Sequence, residues 1–203
     1  MDKRIRIGGI IAALIFSAVI LTSPSDPPPI PEPFTDEQPN QFVEIIATNL
    51  EKPWAIDFSD ERIFISERSG KIRIIESDQL LDEPLISLRV ADVFGGGLLG
   101  IVTHPNFSDN HLLYAYYTYE DDEKLWNKII QIKEMNNQIV DVVTILDKIP
   151  GSSFSNGGVM KFGPDGKLYV GTGSVSDFSH EPQNLNSLAG KILRLNDDGS
   201  IPT

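Results

Sequence analysis

Apolar and polar residues alternate in three stretches of this chain, and the alternation predicts strands. The first stretch runs Trp54-Ala55-Ile56-Asp57-Phe58, turns at Ser59-Asp60, then continues as Ile63-Phe64-Ile65-Ser66-Glu67 and Gly70-Lys71-Ile72-Arg73-Ile74-Ile75. The second has His104-Pro105-Asn106-Phe107-Ser108-Asp109, the aromatic run Leu112 to Tyr117, and Asn127 to Ile132. The third has Met160-Lys161-Phe162-Gly163-Pro164-Asp165, then Leu168-Tyr169-Val170-Gly171, then Gly190 to Leu195. A period of two is the spacing of a half-buried strand, and Asp, Pro and Gly at the joints supply turn chemistry. Units of several short strands recurring every 50 residues or so predict a β-propeller. A β-sandwich is the other all-β arrangement of such strands.

The fold class expected is therefore all-β, with about three propeller blades over residues 41–203. Propellers close with about four to eight blades. Three blades leave the flat faces of the first and last uncovered. The expectation is a fragment of a longer protein, a degenerate copy, or half of a ring that a second copy completes as a homodimer.

A different pattern precedes the blades. Basic residues Lys3, Arg4 and Arg6 lead into an apolar run from Ile7 to Leu21 with no charge inside it. The run is shorter than the roughly 20 residues of a spanning helix and resembles the apolar region of a signal peptide. Residues 1–23 are read as an apolar helix, either a cleaved signal peptide or a transmembrane anchor. Both place the globular part outside the cytoplasm, secreted or membrane-anchored. Residues 24–40 carry prolines at 24, 27, 28, 29, 31, 33 and 39, a composition that favours polyproline II and a semi-rigid linker.

Composition narrows the chemistry. The net charge of −12 disfavours nucleic acid and anionic headgroups as partners. The absence of cysteine removes disulfides and thiolate metal sites. No phosphate loop, nucleophile elbow or metal-ligand cluster is visible. The three histidines read as a turn residue (His104), a solvent-facing strand start (His111) and a loop residue (His180). The run Glu120-Asp121-Asp122-Glu123 lacks the spacing of a calcium loop and reads as a hairpin tip. Asn106-Phe107-Ser108 forms a glycosylation sequon, and Trp54 and Trp126 read as blade-packing aromatics.

The most informative residues lie late in the chain. Ser155-Asn156-Gly157-Gly158 is followed by Phe162-Gly163-Pro164-Asp165-Gly166-Lys167-Leu168-Tyr169-Val170-Gly171-Thr172-Gly173, then by Asn186 to Asn196. Together with Leu50 to Ile56, Glu67-Arg68-Ser69-Gly70, Gly97-Leu98-Leu99-Gly100 and His104-Pro105-Asn106-Phe107, these resemble the glucose/sorbosone dehydrogenase family. The resemblance covers about Thr48 to Pro202 and implies a six-bladed propeller. It also implies pyrroloquinoline quinone and calcium as cofactors, and oxidation of an aldose or related polyol.

The same resemblance exposes three departures. Ser155 stands where the family has its general-base histidine, and Ser174 where the acid partner of that base is expected. Gly95-Gly96-Gly97 stands where the family has Glu or Gln before Gly-Leu-Leu-Gly. A serine hydroxyl does not accept a proton unaided, whereas an imidazole titrates near neutrality. Gly95, Ser155, Asn156 and Ser174 are the candidate pocket lining, with His180 as a conceivable substitute base. The expected function is an extracytoplasmic quinone-dependent sugar dehydrogenase-like protein, inactive as an isolated chain. The alternative is a non-catalytic cell-surface propeller module that binds a glycan or protein.

Overall fold

The computed structural model describes residues 43–175 and 180–203. The expected apolar helix over residues 1–23 and the linker over residues 24–40 lie outside the described residues. Three antiparallel sheets follow one another along the chain. Blade 1 comprises β1 (Pro53–Ser59), β2 (Arg62–Glu67), β3 (Lys71–Glu76), β4 (Gln79–Leu80) and β5 (Ile86–Ser87), the last also paired with β3. Blade 2 is the meander β6 (Leu98–Thr103), β7 (Leu112–Asp121), β8 (Lys124–Met135) and β9 (Gln138–Pro150). Blade 3 is β10 (Gly157–Phe162), β11 (Leu168–Thr172) and β12 (Ile192–Leu195).

The inner strand β6 lies between β1 and β10, so both its faces are covered and all six of its residues are buried. Period-two alternation sends its neighbours' side chains into two separate cores. Leu113 and Ala115 of β7 join Phe64, Ile72 and Ile74 between blades 1 and 2. Tyr114 and Tyr116 of the same strand join Met160, Leu168 and Val170 between blades 2 and 3. The inner strands approach closely: a Cβ on Gly100 would lie 1.9 Å from the Gly158 carbonyl oxygen, so only glycine fits there.

Polar contacts also stitch blade to blade. Asp57 of β1 accepts from the Thr103 backbone amide (2.6 Å) and hydroxyl (2.8 Å) of β6. Arg62, at the start of β2, donates to the fully buried Glu134 (2.9 Å) and to Asn137 (3.0 Å) at the β8–β9 turn. Its guanidinium also sits 5.2 Å from the ring centres of both Phe64 and Phe107.

Three expectations need adjustment. The second repeat begins at Leu98, not at His104; residues 104–111 form a turn around the short helix α1 (Phe107–Asn110). Strand β9 was not expected, because most of its side chains are exposed on both faces and leave no alternation to read. His111, expected to face solvent, caps α1 with φ 56° and turns its buried Nδ1 toward Glu134 Oε1 at 3.7 Å. The acidic run does form a hairpin tip, with Asp122 and Glu123 both at positive φ between β7 and β8.

The outer faces of the two terminal blades are open. On β1, Trp54, Ile56 and Phe58 are 60, 50 and 62 % exposed; on blade 3, Val159 and Ile192 are 74 and 76 % exposed. No helix among the described residues is long and apolar enough to cross a membrane.

Candidate functional site

At the end where β6 and β10 begin, three stretches of loop converge: residues 91–97, residues 151–156, and residues 173–175 with 180–191. Asn156 is the hub. It is 2 % exposed, and its side-chain amide makes four hydrogen bonds. The Oδ1 accepts from the Ser152 backbone amide (3.0 Å) and from Asn127 Nδ2 (3.2 Å). The Nδ2 donates to the carbonyls of Gly95 (2.8 Å) and Ser152 (2.8 Å). The Asn156 carbonyl in turn accepts from the Tyr116 hydroxyl (2.8 Å) and the Gly173 amide (3.1 Å). Behind it, Thr118 donates to Asn127 Oδ1 (2.7 Å), and Asn127 donates to the Pro150 carbonyl (2.9 Å). A chain of satisfied buried groups of this kind fixes a unique loop geometry.

The four predicted site residues are thus brought together. Ser155 is exposed, with φ 56°, and its carbonyl accepts from the Val175 amide (3.4 Å). Ser174 is exposed between Gly173 and Val175, the two residues bonded to Asn156 and Ser155. Gly95 donates its amide to the Ser153 carbonyl (2.6 Å). A Cβ on Gly95 would lie 2.9 Å from Phe154 Cα and 3.0 Å from the Ser153 carbonyl oxygen, so the two loops touch because residue 95 is glycine. The titratable side chain bonded to this loop is Tyr116, whose phenol burial pushes well above its ordinary value. It stays protonated at neutral pH and serves as a donor, not as a base.

His180 stands exposed at the head of a 3-10 turn (Glu181–Gln183), its carbonyl accepting from the Gln183 amide (3.1 Å). His104 is the turn residue its motif predicts: Nδ1 accepts from the Asn106 amide (3.0 Å) and contacts Asn110 Nδ2 (2.7 Å). Burial lowers the His104 pKa, partly offset by Asp197. Trp126 is half-buried and opens onto a cleft of about 490 Å³ beside the 151–153 loop, with Leu125, Pro150, Glu123 and Glu181.

Sequence reasoning gave no role to Arg68, which follows β2. Its Nε donates to the Gly96 carbonyl (3.0 Å) and its Nη2 to those of Val93 (2.7 Å) and Phe94 (2.9 Å), pinning the 93–96 loop. The signal was present in Glu67-Arg68-Ser69-Gly70, but nothing local says that its guanidinium reaches residues 25 to 28 positions away.

Successive antiparallel blades with loops gathered over the starts of the inner strands define a β-propeller fold. The chain belongs to the Glucose / Sorbosone dehydrogenase family, whose model matches residues 50–203. It is 32 % identical to quinoprotein glucose dehydrogenase B of Acinetobacter calcoaceticus, over 91 % of this chain and 45 % of that protein. It is 29 % identical to hedgehog-interacting protein of Mus musculus, over 77 % of this chain and 26 % of that protein. The structure of PQQ-bound aldose sugar dehydrogenase from Streptomyces coelicolor superposes with a TM-score of 0.69 at 32 % identity, over 77 % of this chain and 48 % of that one. The chain spans about half the length of the dehydrogenases it matches.

Around this loop the described residues supply little that would hold pyrroloquinoline quinone or calcium, the cofactors that the resemblance implies. Among the described residues, no three His, Asp or Glu side chains gather where they could hold a metal ion. The Asn156 amide is committed to four internal bonds, and Arg68 is committed to three carbonyls. Gly95, Ser155 and Ser174 bring no charge to meet the carboxylates of pyrroloquinoline quinone.

Proposed function

We propose that this chain forms the first blades of a glucose/sorbosone dehydrogenase-like propeller that acts outside the cytoplasm and binds its ligand without oxidising it. One observation carries the reading. The positions that the resemblance assigns to the base, its acid partner and a pocket contact meet around one loop, and they are Ser155, Ser174 and Gly95. Hydride abstraction from a sugar carbon needs a group that takes the hydroxyl proton near neutral pH, and a neutral serine does not. The basic and apolar start of the chain supports export. The relative named hedgehog-interacting protein supports a binding role for the module, with a glycan or protein as ligand.

The full chain, supplied with pyrroloquinoline quinone and calcium, is expected to give no dye reduction with an aldose while retaining affinity on a glycan array or in a membrane pull-down. Quinone-dependent turnover overturns the non-catalytic reading. A second reading, a quinone-dependent aldose or polyol dehydrogenase, is favoured by the similarity to the two sugar dehydrogenases and would then stand in its place.

A further inference from the structure

Two phenylalanines stand on the loops that meet at this site. Phe94 is 80 % exposed and Phe154 47 % exposed, and their rings pack with centroids 5.0 Å apart at 53°. A single exposed apolar side chain is ordinary. An exposed aromatic pair on two separately pinned loops is not, because both loops are held by contacts that do not involve the rings.

Arg68 holds the carbonyl of Phe94 itself and those of Val93 and Gly96. Asn156 and Ser153 hold Gly95 from the other side, at 2.8 and 2.6 Å. The Ser152 hydroxyl bonds to the carbonyl of Phe154 and accepts from its amide. Glycine at position 95 is what allows the approach, since any Cβ there meets Phe154. The absence of a side chain at residue 95 therefore lets the two aromatic loops meet.

Aromatic side chains on pre-ordered loops lose little entropy on binding and are the commonest anchors of protein interfaces. The other flank of the 151–153 loop faces the apolar cleft floored by Leu125, Trp126 and Pro150, with Glu123 and Glu181 among its lining. The ion pairs Arg68–Asp92 and Lys148–Asp121 each neutralise a carboxylate together with a cation, so the local negative excess comes from Glu123 and Glu181 in the cleft lining. Lys124 is the basic residue among the cleft lining, against a chain carrying a net charge of −12. Such a surface repels acidic partners and steers basic ones.

We propose that the Phe94–Phe154 pair and the adjoining cleft form a docking surface for a basic protein segment that carries an aromatic or aliphatic anchor. The assignment rests on the non-catalytic reading of the site. The test is selection of a displayed random-peptide library on the full chain, followed by anisotropy titration of the winners. The expected winners combine Lys or Arg with Phe, Trp or Leu. Phe94→Ser is expected to weaken them by at least about 30-fold, the loss typical of an anchor residue. Phe94→Trp is expected to restore affinity, and neither change should alter the melting temperature, because the side chain is exposed.

No enrichment, acidic winners, or equal binding by Phe94→Ser would overturn the proposal. So would a Phe94→Ser variant that loses aldose affinity while peptide binding stays intact, which would assign the surface to a small molecule. Dye reduction measured on the same sample separates the two ideas. Turnover removes the non-catalytic reading, whereas loss of the peptide effect without turnover removes only the docking surface.

Discussion

Asn156 shows how one buried amide sets the shape of a site that it does not chemically serve. Its removal would leave the Gly95 carbonyl and the Ser152 amide without their partner in a buried region. Each stranded polar group costs about 1–3 kcal/mol, so Asn156→Ala is expected to cost about 3 kcal/mol in urea unfolding. Gly95→Gln is expected to destabilise by about 1–3 kcal/mol, because its Cβ lands 2.9 Å from the Phe154 backbone and one of the loops must yield. Adding Ser155→His and Ser174→Asp restores a base and its acid in sequence, but the loop over Gly95 keeps the third position closed. Dye reduction by Ser155→His/Ser174→Asp should therefore stay below that of a triple variant with Gly95→Gln, compared with quinone and calcium present. The candidate positions themselves were legible because Ser155 to Gly158 and Gly173-Ser174 lie in a short linear motif. Arg68, Phe94 and Phe154 were not, because their contacts join residues 25 to 60 positions apart that share no local pattern.

Strand β7 divides its side chains between two cores, and its tyrosines make that division pH-dependent. Burial pushes the Tyr114 phenol up to about 12, and Tyr116 is raised further by the same cause. The folded state thus holds these protons where the unfolded chain has already lost them. The stability this represents is fully present below about pH 10, the unfolded value, and is lost as pH rises through about 12. Tyr114→Phe, which forfeits only the bond from Gln131 (3.1 Å), should move the alkaline unfolding midpoint upward; an unchanged midpoint would refute this origin. Strands such as β7 were readable from their alternation. Strand β6 was not, since Gly95 to Gly100 reads as loop, and it became a strand through burial on both faces. The link from β2 to the β8–β9 turn was equally invisible. Arg62→Ala removes the guanidinium bonded to the buried Glu134 carboxylate, which keeps the Asn137 amide (3.1 Å) and the more distant His111 ring (3.7 Å), and is expected to cost about 3 kcal/mol, with much of that recovered in Arg62→Ala/Glu134→Gln.

The same inter-blade geometry repeats from β1 to β6 and from β6 to β10, and that repetition explains the two open faces. Trp54, Ile56 and Phe58 project from β1 on the side opposite Asp57, which faces β6. Val159 projects from β10 on the side opposite Met160, which enters the core shared with blade 2. Each terminal blade therefore presents to solvent the kind of surface that the central blade buries twice. Exposed apolar surface of this extent drives association unless another blade covers it. The 203-residue chain studied alone is expected to show a light-scattering mass above that of a monomer, increasing with concentration. A charge on either face opposes that burial without touching the inter-blade cores, so Phe58→Lys or Val159→Lys should return the mass toward the monomer while leaving the unfolding midpoint nearly unchanged. If only one of the two substitutions acts, like faces meet in a two-fold pair. If either alone suffices, unlike faces meet head to tail, the arrangement that continues the blade-to-blade step and brings a further inner strand beside β10.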